Sequence, residues 1–260
     1  TNGEIVLGNA EWMVTCACSA GPAFEGSGTK CGMPAAEGAM NKVEITETEE
    51  LKYTVIGGGK PKGLCGSGLI DILAELFIHG YIDRQGQFRE EKAGGRLISD
   101  GRDRGFIIET AEHSYWGKDI VIMERDIANL IRTKGAIYSA CSLLLKNVGL
   151  NCSDIGEVYI AGGFGESLDV ESAVRIGLLP DIDRTKFYYL GNSSLAGAYM
   201  RLLSRRNREL ADSAAKKMTY IELMTEPCYM NEYTGSLFLP HTEINLFPSV
   251  KKMIVPDKGG

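Results

Sequence analysis

Hydrophobic positions in this chain change period several times, and each change marks an element. Residues 4–8 and 11–18 alternate and are joined by a short polar turn, which predicts an antiparallel hairpin. Residues 40–45 and 52–56 alternate again across an acidic turn and predict two more strands. Ile70, Leu73, Ala74, Leu76 and Phe77 then fall at helical spacing, with Gly80 as a stop. Residues 84–115 are polar and glycine-rich, so they are expected as a peripheral insertion with one strand at 106–109; a further strand is expected at 119–123. The longest helix is predicted over 125–148, where Ile127, Leu130, Ile131, Ile137, Tyr138, Cys141, Leu144, Leu145 and Val148 form one stripe interrupted by Gly135.

After that helix, strand and helix alternate. Val158–Ala161 reads as a strand, 169–176 as a helix closed by Gly177 and Pro180, 186–190 as a strand and 195–203 as a helix. A polar helix at 207–217, a strand at 220–224 and a loop rich in aromatics and proline complete the pattern, and 256–260 is expected to fray.

Composition narrows the class. With 260 residues, 44% hydrophobic and 24% charged, the chain has enough apolar surface for a sizeable core. A net charge of −6 argues against a nucleic-acid partner, and the basic run at Arg201, Arg205, Arg206 and Arg208 reads as a solvated helix end. No apolar run reaches the ~18 residues of a membrane span. Seven scattered cysteines favour reduced thiols in the cytoplasm. Cys16-Ala17-Cys18 has no second pair or histidine to complete a metal site, so no metal ligands are assigned.

Three glycine-bearing turns carry the chemistry. Thr1-Asn2-Gly3-Glu4 precedes the hairpin, Gly162-Gly163-Phe164-Gly165 follows one strand, and Gly191-Asn192-Ser193-Ser194 follows the next. Glycine has no Cβ, so such turns let backbone N–H groups approach a phosphate or a flat base. Each turn alone is equally consistent with plain structure; the series, with a hairpin and then alternating strands and helices, points to a nucleotide on a ribonuclease-H-like α/β lobe. The glycine-rich start of the helix at 66 would also offer free N–H groups to an anion, or Ser67 would simply cap it. The loop at 21–38 has the length of a functional loop. A lysine beside a helix glycine, as Lys134 is, is ordinarily solvated.

The stretches 1–8, 20–26, 65–71, 133–137, 160–165, 190–198 and 237–242 resemble the C-terminal region of the reductive activators of corrinoid enzymes, a branch of the actin, sugar kinase and heat-shock chaperone ATPases. The resemblance implies an actin-like ATPase lobe over 1–205, with an insertion at about 84–118, and an extension at 206–260 packed on it. It implies ATP with Mg²⁺ as cofactor and a corrinoid protein as partner, whose Co(II) is returned to Co(I) at the expense of ATP. Thr1, Asn2 and Gly3 would face the phosphates. Gly162, Gly163, Phe164, Gly165, Gly191, Asn192 and Ser193 would line the adenosine, and Lys134 would reach the nucleotide. Glu4 and Glu25 are the nearest acidic candidates for Mg²⁺ or its waters. The family's phosphate turn has an acidic residue just before the position of Thr1, so a preceding strand, a first lobe and an N-terminal domain with a [2Fe-2S] cluster are expected outside this sequence. The resemblance leaves homodimerisation open. A small-molecule phosphotransferase and a non-catalytic docking module are the competing readings.

Overall fold

The computed structural model describes residues 3–163 and 167–254. The predicted hairpin is present: β1 (Gly3–Gly8) pairs antiparallel with β2 (Met13–Cys18), Gly3 opposite Cys18 and Gly8 opposite Met13. The glycine-rich loop that follows folds back on itself and buries Ala23 and Phe24.

A second sheet is built by β3 (Ala39–Ile45), β4 (Leu51–Val55) and the short β5 (Gly63–Leu64), in the order β4-β3-β5. Helix α1 (Gly66–Ile78) lies against it with every residue but Ile78 buried. Its Cys65-Gly66-Ser67-Gly68 start does not face an anion. A Cβ on Gly68 would stand 2.3 Å from the Met40 carbonyl oxygen, and Ser67 Oγ donates to Asn41 O at 2.8 Å. The glycine lets the helix meet the strand, and the serine is spent on the same contact.

On β3, β5 pairs with Ala39 and Met40, and beyond it no described strand neighbours that edge of β3. Two carboxylates from α1 take that place: Val43 N–H donates to Asp71 at 3.3 Å and Ile45 N–H to Glu75 at 2.8 Å. An edge that would otherwise bury unpaired donors is closed by side chains.

The polar stretch expected at the periphery contributes to the core. It forms α2 (Glu90–Ala93), β6 (Leu97–Asp100) and β7 (Asp103–Glu109), and β7 pairs on its other edge with β8 (Ile120–Met123). Phe88, Phe106 and Ile108 are buried in the principal cluster, with the Phe106 ring edge-on to Tyr81 at 5.4 Å. A few large side chains sit among many polar ones there, which is why average polarity gives the wrong impression of the segment.

Helix α3 (Glu124–Asn147) is the spine, about 36 Å long at 1.5 Å per residue. Asp126 secures its first turn by accepting from the N–H groups of Met123 and Lys30, which also ties loop 21–38 to the helix. One side of α3 faces the principal core. The other meets β1 and β2, where Cys16, Cys18, Ala136, Ala140, Leu143 and Leu144 form a second cluster.

β9 (Val158–Ala161) leads to α4 (Val170–Arg175), and then β10 (Phe187–Gly191) lies parallel to β9. α5 (Ser193–Leu203) and α6 (Arg205–Lys216) follow as a helical pair, and β11 (Met218–Tyr220) adds to the edge of β2, parallel to it. β11 is shorter and lies earlier than the strand expected at 220–224, sharing Tyr220 with it, because Leu223–Thr225 closes as a 3-10 turn. The aromatic tail contains two helices its sequence does not announce, α7 (Tyr229–Gly235) packed on α3 and α8 (Pro248–Lys251). Among the described strands β1 pairs only with β2, and β9 only with β10, so each has one edge without a strand partner. No described helix is long and apolar enough to cross a membrane.

Candidate nucleotide site

The C-terminal ends of β9 and β10 sit side by side, and both finish in a glycine that only glycine serves well. Gly162 has φ +101 and Gly191 has φ +60, in the left-handed region that penalises a Cβ. Gly162 N–H donates to Gly191 O at 2.7 Å, so the two turns form one unit. A Cβ built on Gly162 or Gly163 meets no described atom within 4 Å. The glycines at 68 and 177, by contrast, are pressed against protein backbone.

The second turn feeds directly into a helix N-terminus. Asn192 caps α5, its Oδ1 accepting from Leu195 N–H at 3.0 Å, which leaves Ser193 and Ser194 in the first turn beside Gly191. The start of an eleven-residue helix places unpaired N–H groups and the positive end of the dipole there, a favourable setting for a phosphate or a ribose oxygen. The unit is braced from behind. Tyr189 Oη donates to Leu168 O at 2.6 Å, and Asp169 caps α4 by accepting from Ser172 N–H at 2.8 Å. The spacing Asp169-x-x-Ser172 at a helix start is the sequence signal for that brace; Tyr189 gave none.

Gly162, Gly163, Gly191, Asn192 and Ser193 are therefore brought together. Gly3 stands apart, at the start of β1, where a Cβ would lie 2.9 Å from Cys18 Sγ and 3.4 Å from the Ile137 side chain. Thr1, Asn2, Phe164 and Gly165 lie outside the described residues. Lys134 is placed elsewhere altogether. It is 0% exposed in the middle of α3, and its Nζ donates to Phe238 O at 2.5 Å and Pro240 O at 2.6 Å. Burial, reinforced by the nearby Arg84 guanidinium, holds its pKa well below the usual lysine range. Its ammonium is committed to backbone carbonyls, neither solvated nor at the glycine turns.

Candidate metal ligands are sparse. Among the described residues no group of three or more His, Cys, Asp or Glu side chains is placed to hold a metal ion. Cys16 and Cys18 are buried free thiols, and burial pushes Cys16 up to about 12, which keeps it protonated and poorly suited to ligation. The glycine unit leaves backbone accessible beside a helix N-terminus, while no described cluster of carboxylates fits a divalent ion.

Residues 1–251 match the family described as the C-terminal domain of RACo, the ASKHA domain, an actin-like ATPase fold. The chain is 38% identical over 240 residues to the corrinoid activation enzyme RamQ of Eubacterium limosum, covering 90% of this chain and 40% of that protein. It is 27% identical over 260 residues to the [Co(II) methylated amine-specific corrinoid protein] reductase of Methanosarcina barkeri, covering 91% of this chain and 44% of that protein. A solved structure of a reductive activator for corrinoid, iron-sulfur protein superposes with a TM-score of 0.91 at 50% identity, over 96% of this chain and 40% of that one. The chain spans about two fifths of the length of the relatives it matches.

Proposed function

The chain belongs to the family of C-terminal ASKHA domains of RACo, and we propose that it is the nucleotide-binding part of a reductive activator that couples ATP hydrolysis to the reduction of a Co(II) corrinoid protein to Co(I). One observation carries the reading: the turns at Gly162 and Gly191 are hydrogen-bonded into one unit at the adjacent ends of β9 and β10, with no described atom over Gly162 or Gly163. In this reading Gly162 and Gly163 bring bare backbone against the adenine and ribose, while Asn192 and Ser193 present the α5 N-terminus to an adjoining oxygen. Gly3, with Thr1 and Asn2, supplies the phosphate side. α3 supports the idea that both sides face one cleft. The Ile137 side chain of α3 would lie 3.4 Å from a Cβ on Gly3, and Ile137 and Ile160 of β9 both pack against the principal core.

The nucleotide would arrive with Mg²⁺, and the electron would come from an iron-sulfur cluster held by a part of the protein outside these residues. What the present residues do is bind and orient. The free edges of β1 and β9 fit a further strand between them, which would join the two half-sheets and bring the phosphate side up to the adenosine side.

Gly163 gives a clean test because it has no positive φ and its Cβ position is empty. Gly163→Val in the full-length protein keeps the fold while filling the proposed ligand space. Isothermal titration with ATP and Mg²⁺ is expected to show binding in the wild type and at least about a tenfold loss in the variant. Unchanged affinity would refute the site.

A further inference from the structure

The commitment of Lys134 to backbone carbonyls gives it a different part in the same site. The loop 238–242 that it touches is held in an unusual way, with five successive carbonyl oxygens accepting from two cations. Lys134 Nζ takes Phe238 O and Pro240 O; the Arg84 guanidinium takes Leu239 O at 3.2 Å, His241 O, and Thr242 O at 3.1 Å. Among the described residues no carboxylate forms an ion pair with Lys134. A fully buried ammonium satisfied by carbonyls alone is expensive, so the loop it organises has to be held in one place.

Contacts on both sides of that loop lead to the two halves of the nucleotide site. On one side is α3. Gly135 allows the helix to approach the chain just ahead of the loop, a Cβ there standing 3.2 Å from Ser236 O, and the Ile137 side chain, under a turn further along, would stand 3.4 Å from a Cβ on Gly3. On the other side is the end of α4. Gly177 has φ +76, and a Cβ there would stand 2.0 Å from Pro240 O, the same oxygen that accepts from Lys134. α4 in turn follows the Gly162 turn, and Tyr189 joins Leu168, just ahead of α4, to β10 and Gly191.

We propose that Lys134 is a positioning residue: by holding the 238–242 loop between α3 and the end of α4, it sets the distance between the Gly3 side and the Gly162–Gly191 side of the nucleotide site. This rests on the nucleotide reading above. Lys134 touches no part of the nucleotide; it fixes the span the nucleotide has to bridge.

The test uses ligands that touch one side or both. In the full-length protein, Lys134→Met removes the donors at similar length, and Arg84→Met removes the guanidinium that holds the neighbouring carbonyls of the loop. Affinities for ATP, adenosine and pyrophosphate are measured by titration. Each variant is expected to weaken ATP about tenfold while leaving adenosine and pyrophosphate within about twofold, because neither fragment spans the site. Leu76→Ala, a core cavity in α1 away from both turns, is the control for lost stability and is expected to leave all three affinities unchanged. Pyrophosphate weakened as much as ATP by Lys134→Met would mean direct phosphate contact and would overturn the proposal. So would ATP affinity unchanged in both variants, or lowered equally by Leu76→Ala. If Lys134→Met does not fold, Arg84→Met decides. A wild-type protein that binds none of the three would instead refute the nucleotide reading itself.

Discussion

α1 and α5 are helices of similar length and similarly apolar sequence, and they have opposite surroundings. α1 buries all but one of its 13 residues between β3 and α4, with Leu69, Ile70, Ile72, Leu73 and Leu76 in the principal core. α5 carries Leu195, Tyr199, Met200, Leu202 and Leu203, and none of its 11 residues is buried. The sheet beside it behaves the same way: Tyr159, Tyr188 and Leu190, on one face of β9 and β10, are exposed. The difference teaches where the stability of these residues resides and where their function begins. The half built on α1, α3 and β3 is closed by its own side chains down to the carboxylates that cap an edge. The half that carries the glycine turns presents apolar surface and open strand edges, as a site wall would if further chain completed it.

The comparison predicts a steep asymmetry in mutational cost. Gly68→Val should be the most damaging change, because its side chain would collide with the Met40 carbonyl; a loss of about 3 kcal/mol or more is expected in chemical denaturation, against a mild effect if the α1–β3 contact can yield. Leu73→Ala, at a position 0% exposed, should cost about 3 kcal/mol.

Asp71 offers a test by pH. Burial pushes its carboxyl up to about 6, above the value of about 4 expected for the unfolded chain. A carboxyl with a raised folded pKa weakens the fold where it is ionised, so this penalty is present above pH 6 and is relieved as pH falls from about 6 to about 4. Asp71→Asn should therefore be more stable than the wild type at pH 8, by on the order of 2 kcal/mol, and the difference should shrink toward pH 4. A constant difference across that range would show that Val43 N–H and its neighbours compensate the charge.

The smallest effect expected in these 260 residues is at Leu202, 78% exposed, where alanine should change stability by less than about 0.5 kcal/mol. The same substitution in the full-length protein sharpens the comparison. If the α5 face is covered there, the cost should rise to about 2 kcal/mol; if it stays below 0.5 kcal/mol, the apolar face of α5 is surface in the whole protein as well.

How much of this was legible beforehand divides along the same line. Local order was: the hairpin, α1, α3 and the β9-α4-β10 series follow from period and glycine punctuation nearly at their observed bounds, and the turns at Gly162 and Gly191 announce themselves. Tertiary commitments were not. Lys134 looks like any lysine beside a helix glycine until Phe238 and Pro240 are seen against it. The Cys-Gly-Ser-Gly start of α1 has the composition of an anion site, yet its glycine is there for a strand carbonyl. Phe88 and Phe106 are hidden by polar neighbours, and α7 by a tail that reads as loop. In each case a contact distant in sequence, not local propensity, decides the outcome.

The central claim is that the joined turns at Gly162 and Gly191 form the adenosine side of a nucleotide site. Photolabelling of the full-length protein with 8-azido-ATP, followed by peptide mapping, tests it most directly. The account predicts labelled peptides from 158–168 and 187–195, protected by excess ATP and lost in Gly163→Val. Label confined to other segments, or label in these that excess ATP does not displace, would contradict it.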